Sequence, residues 1–450
     1  MDNLTVGRFS REATFGFELE LLMLFREFGV LSPLKLGHKE YGLHPHQIPE
    51  EPLDLIKNSD DDHEIHMKRI HYFGNEIAKK LTEAGTATSY REKGHPKDNN
   101  EVSELDDTEP MLGEFEGFCY KAYKENTIVP EETMIWTDPK ANGGRMDVRP
   151  ETPDGFFWLG FELVSKVYQF RDFESSKLDL ESICRVLRGD YLVSINAGKD
   201  SKSRSSRCGV HVHWGLSGGE YDLLAVKRVL TLMWVGEETL MDLHATWRKD
   251  AGKYAALLRK GTNMATDNTP RLPNWVNDLG QGNWIDEMVQ NVPSEIWETP
   301  HHDGSKVQWL WRAKTVGDLA MLIGEVNKSR RASVGIMELL PATSAFPGVV
   351  RRSQLNTIEF RHMQGSLHPT LIAAWIEVTA NIMRRCVDLS PRDFKASLAR
   401  IARCAAGTSN VQDLLGALEI VPETRSVFND FDQQRLDLEA DSTASIFLPE

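Results

Sequence analysis

Two glutamates one residue apart, Glu18 and Glu20, sit in the stretch Thr14-Phe-Gly-Phe-Glu-Leu-Glu-Leu21. Read with period two, Phe15, Phe17, Leu19 and Leu21 share one face, and Gly16, Glu18 and Glu20 share the other. The apolar face belongs on a core. The other face carries two carboxylates whose Cβ atoms are about 6.5–7 Å apart on a regular strand. Anions held that close repel each other and need a cation or a raised pKa. Taken alone, the pair is better read as the solvated face of an antiparallel sheet. Partners on other strands would decide between the two.

Three later segments repeat the pattern. In Val210-His-Val-His-Trp214, the apolar residues alternate with His211 and His213. In Ile358-Glu-Phe-Arg-His362, Glu359 and Arg361 share one face. In Gly160-Phe-Glu-Leu-Val164, Glu162 stands between Phe161 and Leu163. If these strands are neighbours in one sheet, four carboxylates, two imidazoles and a guanidinium converge on one surface.

Carboxylates with an occasional imidazole suit Mg²⁺ or Mn²⁺. The lack of a thiolate pair or a His-x-x-x-His spacing disfavours zinc. Magnesium is commonly shared between carboxylates and substrate phosphates, and a guanidinium beside it suits a phosphoryl group. The expected chemistry is metal-assisted phosphoryl transfer. No GxxxxGK[ST] loop is present, so the nucleotide would be held outside a P-loop fold. Each piece also has a plainer reading. His211 and His213 fit hydrogen-bonded strand histidines, and Glu359 with Arg361 fits a weak surface ion pair. Cys208 reads as a small buried residue, and the six histidines from His38 to His71 are too irregularly spaced to make one site.

The elements that must position these residues are legible from periodicity. Ile70, Phe73, Ile77 and Leu81 predict a helix over 63–84, stopped by Gly85. Helices are also expected over 175–190, 222–247 and 369–386, the last with Pro369 in its first turn and Leu371, Trp375, Val378 and Ile382 on one stripe. Strands are expected at 133–138, 156–167, 191–195, 333–339 and 356–361. The polar, acidic stretch 91–133 reads as a surface insertion, and 391–450 as a helical extension with a polar tail after a domain spanning 1–390. Strands that return late in the chain, separated by helices, predict an α+β fold with a large, mostly antiparallel sheet.

The 450 residues are enough for a large core, and the net charge of −15 argues against a nucleic-acid or anionic-membrane surface. Five scattered cysteines without a CxxC pair fit a reducing compartment. The N-terminal stretch lacks a signal-peptide core, and no apolar run is long enough to span a bilayer. These features together lead to the expectation of a cytoplasmic protein with neither nucleic-acid nor membrane partners.

The ordered set Phe15-Gly-Phe-Glu-Leu-Glu20, Phe161-Glu-Leu-Val-Ser165, Cys208-Gly-Val-His-Val-His213 and Thr357-Ile-Glu-Phe-Arg361 resembles the amidoligase family. That family is a branch of the glutamine synthetase and glutamate–cysteine ligase superfamily. The likeness runs from about residue 14 to 385 and also touches Trp136-Thr-Asp138 and Asn196. It implies a curved antiparallel sheet forming a cradle, with ATP at one mouth and two Mg²⁺ at the waist. By that likeness Glu20 and Glu162 would bind the metal facing the acyl substrate. Glu18, His211 and Glu359 would bind the metal bridging the ATP phosphates, with His213 near those phosphates. Arg361 would neutralise the transferring phosphoryl group. Arg248 and Tyr254 would belong to an Arg-rich, Tyr-containing segment after the long helix, with Arg248 helping to bind the cofactor. The long acidic insertion and the loose match of 351–356 depart from the family pattern.

The activity so implied is ATP- and Mg²⁺-dependent amide formation between a small-molecule or peptide carboxylate and an amine, through an acyl phosphate. An ATP-dependent guanidino kinase on the same fold, or a non-catalytic protein with a decayed site, are the alternatives.

Overall fold

A computed structural model of the chain describes residues 7–30, 35–36, 39–40, 48–56, 62–91, 125–130, 154–194, 208–217, 219–244, 248, 255–266, 283–298, 304–324, 332–336, 339, 356–406, 410–429 and 446–447. The fold is mixed α and β, an open and mostly antiparallel sheet flanked by helices. Its strands are β1 (Ala13–Arg26), β4 (Thr88–Tyr90), β5 (Asn126–Pro130), β6 (Phe156–Val164), β7 (Tyr168–Gln169), β8 (Leu192–Ser194), β9 (Gly209–Leu216), β10 (Val334–Gly335), β11 (Ile358–Gln364) and β12 (Ile446–Phe447). Among the described residues, the strands β2 (Lys35–Leu36) and β3 (Lys39–Glu40) pair with each other in a separate two-stranded sheet. The main path across the sheet is β10-β11-β9-β1-β6-β5-β4. Among the described strands on this path, the β4–β5 pair is parallel and the rest are antiparallel.

β1 is the long central strand, and its first half alternates as its sequence dictates. Phe15, Phe17, Leu19 and Leu21 are almost wholly buried, while Gly16, Glu18 and Glu20 are only partly covered. Beyond Leu21 the alternation ends, because both faces are covered. Leu22 and Leu24 join Ile48, Phe156, Trp158, Leu192 and Cys208 in a second, smaller core on the carboxylate face. That core is an apolar wall at one end of the polar surface.

The principal helices are α1 (Arg8–Glu12), α2 (Asp62–Glu83), α3 (Phe173–Asp190), α4 (Leu223–Leu240), α5 (Pro369–Asp388) and α6 (Pro391–Ala406). The stripes read from the sequence are the buried ones: Ile70, Phe73, Ile77 and Leu81 on α2, and Leu371, Trp375, Val378 and Ile382 on α5. Gly85 ends α2 at φ +90°, a conformation that suits glycine. Asp222 caps α4 through the Ala225 amide at 2.6 Å. Trp214 of β9 donates its indole N–H to Thr379 of α5 at 3.0 Å, tying the sheet to that helix.

Several expected elements differ. The supposed insertion contains a sheet strand, since β5 pairs with β6 from Thr127 opposite Val164 to Pro130 opposite Phe161. Asn126-Thr-Ile-Val has the β-branched composition of a strand, and its acidic neighbourhood hid it. The helix expected to 247 stops at Leu240 and tightens into a short 3₁₀ turn, Met241–Leu243. The strand expected over 333–339 is the two-residue β10. The C-terminal extension shares the main core, where Phe394, Leu398, Ile401, Leu414 and Leu415 are buried with the residues of α4. The strand expected at 133–138, together with Asn196 and Tyr254, lies outside the described residues. Among the described residues no helix is long and apolar enough to cross a membrane.

Candidate metal and phosphate site

Four adjacent strands, β11, β9, β1 and β6, carry every residue of the repeated polar pattern. The register sets who faces whom. Glu18 pairs with His211, Gly16 with His213, Glu20 with Glu162, and Glu359 with His213. Two glutamates therefore stand directly opposite each other in the β1–β6 ladder, an arrangement that costs stability unless a cation lies between or beside them.

The side chains interlock. His211 Nδ1 lies 2.9 Å from Glu18 Oε2 and 3.5 Å from Glu359 Oε1, while its Nε2 is 3.7 Å from Glu20 Oε2. His213 Nε2 is 3.0 Å from Glu18 Oε1 and 3.7 Å from Glu359 Oε1, and its Nδ1 is held 3.2 Å from the Thr357 hydroxyl. The Arg361 guanidinium donates to Glu359. The site is shielded without being sealed: the His211 side chain is 3% exposed and the Glu18 side chain 19%.

The electrostatics follow from this packing. Burial pushes the Glu18 carboxyl up, but His213 and His211 more than offset it and hold the group well below the usual carboxylate range. For Glu359, burial is likewise overcome, chiefly by Arg361 and then by the two histidines, so its pKa is lowered. Burial acts to lower Arg361, yet Glu359, Glu20, Glu18 and Glu162 together raise it. All four carboxylates thus act on one guanidinium, which marks them as a single electrostatic unit.

Among the described residues, two sets of donor atoms are close enough to ligate a common ion: Glu18, Glu162 and His211, and Glu18, His213 and Glu359. Glu18 belongs to both. This partition differs from the one implied by the family resemblance. His213 sits among the ligand-forming groups instead of standing apart, and His211 joins Glu162. Glu20 falls in neither set but approaches His211 from beside them. The donor set of hard oxygens with imidazole suits Mg²⁺ or Mn²⁺.

Arg248 lies at the edge of the site and holds backbone there. Its Nε and Nη2 donate to the backbone carbonyls of His362 and Arg361 at 3.2 and 2.6 Å. Burial pushes this guanidinium down to about 10, against the opposing pull of Glu20.

Gly209 was missed by motif reading. A methyl group placed there would lie 3.0 Å from Arg248 Nη2, 3.1 Å from His211 Nε2 and 3.2 Å from Glu20 Oε2. The start of β9 must be bare for those three side chains to meet. Its position just ahead of the His-x-His pair was the available signal.

The sequence matches no protein-family model and no curated protein. The site's chemistry therefore rests on its own geometry.

Proposed function

We propose that the chain is an ATP- and Mg²⁺-dependent carboxylate–amine ligase built on a glutamine synthetase-like sheet. The observation that carries this reading is the strand order β11-β9-β1-β6, which gathers four carboxylates, two imidazoles and Arg361 on one surface. The ordered motifs that resemble the amidoligases lie on these same four strands.

Glu18, Glu162, His211, His213 and Glu359 would hold the cation, with Glu20 beside them. A divalent ion bound there supplies neutralisation and polarisation of phosphoryl oxygens. Arg361, already charged and buried, adds a fixed cation for the charge that spreads over the transferring group. The substrate carboxylate attacks the γ-phosphorus of ATP; a C–O–P bond forms and ADP leaves. An amine then attacks the acyl carbon, the C–O bond to phosphate breaks, inorganic phosphate leaves, and the nitrogen gives up a proton to solvent. The apolar wall of Leu22, Leu24, Phe156 and Trp158 limits water at one end of the site, which protects an acyl phosphate from hydrolysis.

The test is phosphate release from ATP and Mg²⁺ with panels of carboxylates and amines, comparing wild type with Glu20→Gln. Amine-dependent phosphate release that the variant lacks is expected. No stimulated release with any pair, together with no ATP binding, rules the ligase out. A stable phosphorylated nitrogen product in place of inorganic phosphate would reassign the site to a kinase.

A further inference from the structure

The β9–β11 ladder is irregular at one point. Phe360 pairs with Val212, but the next pair is Met363 with Val210. Two residues, Arg361 and His362, therefore stand opposite the single residue His211. This is a β-bulge, and bulges re-aim side chains and free ladder groups that need other partners.

Those groups are satisfied from both sides of the sheet. Arg361 N–H donates to the Ser333 carbonyl at 2.8 Å. The carbonyls of Arg361 and His362 accept from Arg248. The His362 ring turns to the helix side, where its Nε2 lies 3.0 Å from Glu237 Oε1 of α4. Glu237 also accepts from the Ser333 hydroxyl and, at 2.6 Å, from the Leu258 amide. Its side chain has no solvent exposure. A carboxylate buried this deeply is costly, and an apolar residue would serve stability as well. What the carboxylate adds is direction: it fixes His362, and through Ser333 it fixes the strand that holds Arg361.

We propose that Glu237 and Arg248 are positioning residues that clamp the 361–362 bulge from opposite faces and so aim the Arg361 guanidinium at the phosphoryl site. This rests on the ligase reading for its kinetic consequence, but not for its structural one.

Four variants test it: Glu237→Gln, Arg248→Lys, His362→Leu and His362→Gln, the last keeping a donor for Glu237. Three readouts are needed. These are kcat and KM for ATP in the phosphate-release assay, Mn²⁺ affinity by titration, and the ¹⁵Nε–¹H resonance of Arg361, assigned by its loss in Arg361→Lys. A misaimed Arg361 is expected to lower kcat by about 10- to 100-fold. KM for ATP and Mn²⁺ affinity should stay within about threefold, since interactions made mainly in the transition state act on kcat. The Arg361 resonance should shift in the first three variants and return toward its wild-type position in His362→Gln. An unshifted resonance and unchanged kcat in the folded variants would overturn the proposal, leaving both residues merely structural. If wild type shows no turnover, the ligase reading fails and the resonance alone decides the clamp. Should Glu237→Gln not fold, Arg248→Lys and the His362 pair carry the test unaided.

Discussion

Glu20 and Glu162 stand directly opposite each other across the β1–β6 ladder. Like charges so placed destabilise a sheet by about 0.2–1 kcal/mol. In the metal-free protein Arg361 lies beside both carboxylates and Arg248 beside Glu20, so the repulsion is partly offset, and Glu20→Gln or Glu162→Gln should change stability by no more than about 1 kcal/mol. The same change should reduce the stabilisation gained from Mg²⁺ and abolish phosphate release. Thermal unfolding with and without Mg²⁺ measures both effects. A variant that loses stability without Mg²⁺, yet keeps the wild-type response to the ion, would show that no cation depends on this pair.

The acid limb of stability should depend on Glu18. Its folded pKa lies below the ordinary 4.5, because His213 and His211 overcome the effect of burial. A carboxyl depressed on folding contributes stability above its unfolded pKa and loses it as pH falls toward the folded value. Glu359 shifts in the same direction, with Arg361 as the main partner. Wild type should thus lose stability steeply below pH 4.5, and Glu18→Gln should lose it less steeply. Urea midpoints measured along that limb give the comparison. Parallel slopes would mean that the histidine contacts do not stabilise the anion.

Arg361 is raised by all four carboxylates, so it stays protonated at any working pH and its geometry is what a substitution changes. Arg361→Lys keeps the charge but replaces a planar fork with a point donor. It should lower kcat by about 100-fold or more while the fold and the divalent-ion affinity persist. Steady-state kinetics beside an Mn²⁺ titration separate these effects. An unchanged kcat would remove Arg361 from the phosphoryl site.

Much of this was legible because strand alternation is local. Phe15 to Leu21 announced one apolar and one acidic face, and the same rule sorted His211, His213, Glu359, Arg361 and Glu162. What sequence could not supply was register. The partition of His211 and His213 between donor sets depends on which residue of β9 faces Glu18. The bulge at Arg361 and His362 exists only as a relation between two strands, so the role of Arg248 in holding its carbonyls was invisible. Glu237 does leave a signal in the sequence. It continues the helical spacing of Leu230, Met233 and Trp234, and a carboxylate on a buried stripe requires partners. Strand β5 was hidden by its acidic surroundings.

Gly209 offers a test of how tightly the site is built. A methyl group there would press on Arg248 Nη2, His211 Nε2 and Glu20 Oε2 at 3.0–3.2 Å. These are ends of side chains, which can yield by a few tenths of an ångström without disturbing the sheet. Gly209 is not among the residues with positive φ, so alanine costs nothing in backbone strain. Gly209→Ala should therefore fold with near wild-type stability. It displaces the imidazole and the carboxylate together, a disturbance of ligand orientation that typically costs about 10- to 100-fold in metal affinity or activity. Mn²⁺ titration and thermal unfolding of the same preparation separate the two effects. Retained affinity would show that His211 and Glu20 need not hold these positions for an ion to bind.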